Sequence, residues 1–353
     1  MKNFWKIAGL LFFSATAIIA AEKPVIKIGV ICPLSGEIAM LGEADRNSIR
    51  IAQDKLGETR LRYEVVFEDH RGDALAGISA FHKLRSVEKV NAVITVSDHI
   101  SMAIVPLAKK YRILQFSTGT TPGICDGKYS FANWTPPARY AEAFVAECEK
   151  RGIQSFSIVG IVFPAFKGFA DATKKLAAAR GIKLLNEHWY TADARDFRMI
   201  AAKLKTSAAQ TVVILSYKPT IELLMTQLRQ AGLKNLTALE SFSWMGQPDL
   251  AEGLWYVAGA DPEPWFTQEY RSRYKIEPFP GGANAHDAFR LIVQACENAK
   301  ITGIPTAEEI SRELHAIKNF PSAMGPLTIL PDGSVDSQAV LKTIRKGIPV
   351  IIN

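Results

Sequence analysis

Short, β-branched apolar runs alternate with helix-period segments along this chain, and the whole alternation occurs twice. Val25–Ile31, Val93–Val96, Ser157–Val162 and Val212–Leu215 have the length and composition of strands covered on both faces. Between such runs, Ile221, Leu224, Met225 and Leu228 recur at i, i+3, i+4 and i+7, the stripe of an amphipathic helix. Phe166, Phe169, Thr173, Leu176 and Ala177 mark a second one, and Gly181 and Gly232 stand where left-handed caps end these two helices. Strand–helix alternation leads to right-handed crossovers and open parallel sheets with helices on both faces. The expected class is therefore α/β, with one set of elements over about Val25–Ser117 and another over about Ser155–Leu239.

Three breaks interrupt the pattern: Trp134-Thr135-Pro136-Pro137, Ala260 to Pro264, and Met324-Gly325-Pro326. They suggest two lobes between which the chain passes three times. On this reading residues 22–135 plus 263–325 form one lobe, and 136–262 plus 326–353 the other. Residues 1–21 read as a cleavable export signal, with Lys2 and Lys6 ahead of the apolar run Ile7–Ala20 and small residues at Ala20-Ala21. That run is shorter than the roughly 20 residues a membrane span needs. The expected product is a periplasmic monomer.

The formal charge of +7 includes Lys2 and Lys6, and what remains is spread thinly. The densest basic cluster, Arg271–Lys275, lies in an amphipathic helix and reads as a solvated face, with no nucleic-acid partner implied. Cys32, Cys125, Cys148 and Cys296 are too widely spaced for a zinc motif. Cys148 and Cys296 fall on apolar helix faces, and the sequence leaves open whether Cys32 and Cys125 pair. The run Glu68-Asp69-His70-Arg71-Gly72-Asp73 reads as a strand-end loop with Arg71 offsetting carboxylates, so no metal and no cofactor are expected.

Chemistry concentrates between Val93 and Thr121. A strand, the polar segment Ser97-Asp98-His99, a helix to Lys110 and a second strand lead into Ser117-Thr118-Gly119-Thr120-Thr121-Pro122. Loops at the carboxyl ends of neighbouring parallel strands open on one side, beside helix N-termini that attract anions. Two such loops form a cradle for a small polar ligand, with its carboxylate as the expected occupant. Ser97, Asp98 and His99 contain the residue types of a hydrolytic triad, but consecutive side chains diverge and cannot align as one. No nucleophile elbow, HExxH pair or P-loop occurs. The chain is not expected to be an enzyme.

The segment Ile26–Gly42, IKIGVICPLSGEIAMLG, resembles the first strand and loop of type I periplasmic substrate-binding proteins, most closely the branched-chain amino-acid receptors of ABC importers. The similarity continues through Phe67-Glu68-Asp69, Ala231-Gly232-Leu233-Lys234, His286-Asp287-Ala288-Phe289 and Met324-Gly325-Pro326-Leu327-Thr328, with Asp332-Gly333 beyond. The resemblance implies two Rossmann-like lobes joined by three crossovers, a ligand in the cleft between them, and ABC permease subunits as partners.

Carried over by position, it implies a carboxylate cradle of Asp98 or His99 with Gly119, Thr120 and Thr121. Leu41 stands where relatives place an aromatic, and Phe166 and Tyr217 are candidate cleft aromatics. Glu240 or Ser241 falls at the ammonium-binding acid, an ambiguity of one residue. Asp98 departs from the small hydroxyl residue of relatives. Facing the ligand it would repel a carboxylate, so either it turns away, pairing with His99, or the ligand is not a simple amino acid. The expected function is capture of a small carboxylate-bearing molecule, an aliphatic amino acid or a related organic or aromatic acid, for an ABC importer. A ligand-sensing module for a membrane receptor and a binding protein for an amide or aromatic compound are the alternatives.

Overall fold

The computed structural model describes residues 22–36 and 38–352; the expected export signal lies outside them. The first set of elements runs β1 (Val25–Cys32), α1 (Ala39–Asp54), β2 (Arg62–Asp69), α2 (Ala74–Lys83), β3 (Ala92–Thr95), α3 (Asp98–Tyr111), β4 (Leu114–Ser117) and β5 (Ser130–Ala132). The strands pair in parallel in the order β2-β1-β3-β4-β5. Ile31 is in register with Thr95 and with Glu68, and Thr95 with Ser117. Ile28, Val30, Ala92, Ile94 and Phe116 of these strands are wholly buried, as expected for strands covered on both faces.

α4 (Pro137–Arg151) leads into the second set: β6 (Ser155–Ile161), α5 (Pro164–Ala179), β7 (Lys183–Tyr190), α6 (Arg198–Ser207), β8 (Thr211–Leu215), α7 (Thr220–Gln230) and β9 (Leu236–Ala238). Its parallel order, β7-β6-β8-β9, repeats the first plan. Gly181 and Gly232 follow α5 and α7 with φ of +74° and +87°, the left-handed stops expected there.

The remaining chain forms β10 (Trp255–Gly259), α8 (Pro264–Tyr274), α9 (Gly282–Asn298), α10 (Ala307–Ala316), β11 (Phe320–Ser322), β12 (Gly325–Leu327), β13 (Ala339–Arg345) and β14 (Ile348–Ile351). β10, β13 and β14 pair antiparallel. A bridge from Leu239 to Val257 joins this small sheet to the β9 edge.

Two principal cores result. Phe144, Phe156, Phe169, Ile214, Leu224, Phe242 and Tyr256 belong to the second lobe's core. Ile28, Ile94, Phe116, Phe131, Phe289 and Leu291 belong to the first, so α9 returns to the first sheet. Leu327, Ile329 and Val335 also pack in the first core. These residues follow the Met324-Gly325-Pro326 break, at which the sequence reading ends the first lobe. That break instead forms the β11–β12 hairpin, whose turn amides at Ala323 and Met324 donate to Asp287.

The three passages lie side by side. Ser337 Oγ donates to Thr135 Oγ1 (3.1 Å), and Ala260 N to the Gln338 carbonyl (3.3 Å). Arg139 and Asp336 pair beside them at 2.7 Å. The basic cluster of α8 is charge-matched at its surface, with Arg271 against Glu277 and Arg273 against Glu269 and Asp54. Among the described residues no helix is long and apolar enough to cross a membrane.

Candidate functional site

In a parallel sheet with this strand order, the crevice opens beyond the carboxyl ends where the order reverses. In the first lobe that point lies between β1 and β3, the strands whose following segments carry Leu41, at the start of α1, and Ser97–His99. In the second it lies between β6 and β8, next to Phe163, Phe166 and Tyr217.

Asp98 is the first residue of α3, following Ser97 at φ +76°. Its side chain turns neither outward nor to His99. Oδ1 accepts from Thr120 N (2.8 Å), Thr121 N (2.6 Å) and Thr121 Oγ1 (2.6 Å). Two further donors of the loop are also engaged. Gly119 N donates to Ser117 Oγ (2.8 Å), and Thr120 Oγ1 to the Thr135 carbonyl on the first passage (3.2 Å). The cradle that the sequence offered to a ligand carboxylate is thus occupied from within, by the chain's own carboxylate. The physical reason is plain: backbone N–H groups gathered at strand ends select the nearest anion, and here that anion is 22 residues upstream in the same chain.

Beneath this loop, Thr95, Ser101, Gln115, Ser117 and Ser130 form a buried hydrogen-bonded network. It holds the β3 and β4 ends rigid, because each member's polar groups are satisfied by another. His99 instead reaches the Gly72 carbonyl (Nε2, 3.1 Å) and sets its ring edge-on to His70. Burial, followed by the neighbouring His99, lowers the His70 pKa to about 4. Of the acids suggestive of a metal, Asp69 binds the amides of Leu34 and Arg71, and Asp73 caps α2 through Ala76 N. Among the described residues no group of three or more His, Cys, Asp or Glu side chains is placed to hold a metal ion. All four cysteines are free thiols, so Cys32 and Cys125 do not pair.

On the opposite lobe, Tyr217 is half-buried against Phe163 and Phe166, at ring separations of 5.9 and 6.3 Å. Phe166 is only 6% exposed and continues inward to Phe169. It is a floor rather than a wall. Phe163, the residue before α5, completes this aromatic group and was not singled out from the sequence; an aromatic directly after a buried strand is the signal that could have found it.

Glu240 and Ser241 differ in their bonds. Ser241, wholly buried, accepts from Ser216 N (2.9 Å) and donates to the Leu239 carbonyl. Its hydroxyl ties β8 to β9. Glu240 sits at φ +62°, and its Oε2 accepts from Tyr140 Oη (2.6 Å) and Gly259 N (2.9 Å) beside the passages. Burial raises its pKa. Of the two, the acid is the one near the hinge.

The sequence reading also missed Asp45. It lies on the buried stripe of α1 with Gly42, Ile49 and Ala52, 2% exposed, beside Gly281 at the N-terminus of α9. Burial raises its pKa to about 8. An acidic residue at i−4 from Ile49 on the buried face of α1 was the available sign.

A family model described as "periplasmic binding protein" matches residues 25–347. Among curated proteins, the Leu/Ile/Val-binding protein homolog 3 of Brucella melitensis is 24% identical, with 95% of each chain covered. Among solved structures, a leucine-binding protein of Thermotoga maritima superimposes with a TM-score of 0.82 at 22% identity, over 93% of this chain and 98% of that one. A solute-binding protein of an ABC transporter from Rhodopseudomonas palustris, in complex with 3,4-dihydroxybenzoic acid, gives 0.78 at 18% identity, over 93% and 96%.

Proposed function

This chain belongs to the periplasmic binding protein family, whose members bind solutes rather than convert them, and on that premise we propose that it is an exported receptor delivering a small organic molecule to an ABC importer. The observation that supports the reading is the side-by-side run of three passages between two parallel-sheet lobes, with Gly168 of the second lobe close against Pro122 of the first. One lobe offers the Asp98 loop, the other Tyr217 and the Glu240 region. A guest held by one lobe favours closure only through contacts it gains with the other, since a ligand shifts an equilibrium by its differential affinity alone. Closing excludes water, so each buried polar group of the guest requires a partner.

The lobe that binds first is residues 22–135 plus 263–335, and the lobe that closes is 136–262 plus 336–353. The family implies a periplasmic location; the proposed route there is the export signal in residues 1–21. Leu41, Phe163 and Tyr217 supply the apolar contact with the guest, while Asp98 and Glu240 supply the polar ones. The working form is a monomer, and its partners are the permease subunits.

The test is solution scattering on the mature chain against a broad metabolite set, followed by pull-down of permease subunits with the saturated protein. At least one metabolite should shrink the radius of gyration and raise the melting temperature. A chain whose dimensions and melting temperature ignore the whole set is not a receptor of this kind.

A further inference from the structure

We infer that the guest presents a nitrogen headgroup with N–H donors, an ammonium or a primary amide, to the first-lobe loop, because Asp98 already fills the place a guest carboxylate would take. The inference rests on the receptor reading above and deepens it by naming the ligand class.

Five donors surround the cradle: the amides of Gly119, Thr120 and Thr121 and the hydroxyls of Thr120 and Thr121. Each has an acceptor inside the protein, three of them on Asp98 Oδ1 and the others on Ser117 Oγ and the Thr135 carbonyl. A carboxylate arriving here would find its donors taken and would face a like charge. Asp98 cannot readily yield the place, since three short bonds hold one of its oxygens.

The second oxygen, Oδ2, accepts no hydrogen bond from the described residues, while Asp98 as a whole is 9% exposed. An acceptor oxygen with unused lone pairs just beyond the end of β3 is open to a donor brought by a guest. The opposite lobe repeats the sign: Glu240 is a second acceptor near the passages. A side chain that was a neutral hydroxyl would leave the cradle's donors free for a carboxylate; the aspartate inverts the preference.

The experiment uses the mature full-length chain and two sets of probes matched in shape: 4-methylpentanoate, 4-methylpentanamide and 4-methylpentylamine, and benzoate, benzamide and benzylamine. Calorimetry at fixed pH and salt reads their affinities for wild type, Asp98→Ser and Asp98→Asn. In at least one set, wild type should bind the amide or the amine at least tenfold more tightly than the acid. Asp98→Ser frees the donors and should gain at least tenfold for the acid. Asp98→Asn, which keeps an acceptor for the loop should the serine variant not fold, should lose the amine while retaining the amide. An acid bound by wild type as tightly as its nitrogen partners overturns the inference, and so does failure of every nitrogen probe to bind. In those cases the receptor reading still stands if scattering finds another metabolite that closes the lobes.

Discussion

Thr121 gives both its amide and its hydroxyl to one oxygen of Asp98. From the sequence, the two threonines read as part of a ligand cradle. Their bonds change that expectation. Thr121→Ala removes a hydrogen bond to a charged, buried group and should cost about 1–3 kcal/mol in urea unfolding without any ligand present. Thr120→Ala removes only the longer bond to the Thr135 carbonyl and should cost less. Equal stabilities for both variants and wild type would contradict this division of labour. Asp45 sets a second prediction. Its pKa rises on folding from 3.8 to about 8, so the folded state holds the proton more tightly than the unfolded one. That advantage is complete below about pH 4 and is lost as pH climbs toward 8. Asp45→Asn should therefore match wild type near pH 4 and exceed it at pH 8, by at most about 6 kcal/mol, the value of the shift itself. Thermal melts across that range decide the matter. The loops carrying these residues were legible because hydroxyls and glycine between two strands are a local pattern. The direction of Asp98 was not, because its partners lie 22 and 23 residues away and nothing in one segment reports where another's amides point.

At the level of elements, α1 lies against the backbone just after β1. A Cβ on Gly42 would come within 2.1 Å of the Pro33 carbonyl oxygen, a backbone atom with little freedom to yield. Gly42→Ala should push α1 off the β1 loop and destabilise by about 1–3 kcal/mol, measured as a lower urea midpoint. A midpoint unchanged from wild type would mean that α1 can slide without cost. The long parallel strands were readable in advance since burial on both faces leaves continuous runs such as Val25–Ile31 and Val212–Leu215. The β10-β13-β14 sheet was harder. The run Ser337–Ile344 reads as a strand in the sequence, but its antiparallel pairing with β10 joins segments far apart in the chain and is not written in either of them. The His286-Asp287 pair opening α9 was recognisable by resemblance, but only the folded chain reveals that Asp287 fastens the β11–β12 turn.

For the molecule as a whole, closeness between lobes is visible on the cleft side. A Cβ on Gly168 of α5 would meet Pro122 Cδ at 2.9 Å, across from the Asp98 loop. Gly168→Leu should act as a wedge: the lobes stay folded but meet less closely. Its radius of gyration should exceed that of wild type with guest bound, and affinity should fall at least tenfold, by scattering and calorimetry. Identical closure in the variant would relocate the contact. The duplicated plan and the existence of breaks were legible in the sequence, whereas the packing of Leu327, Ile329 and Val335 into the first core after the last break was not. One further bond gives the plan its coherence. The Thr120 hydroxyl holds the Thr135 carbonyl on the first passage between the lobes, so the loop proposed to meet the guest is anchored to the pivot. On that proposal a guest held at Asp98 acts on the axle through one residue, Thr120.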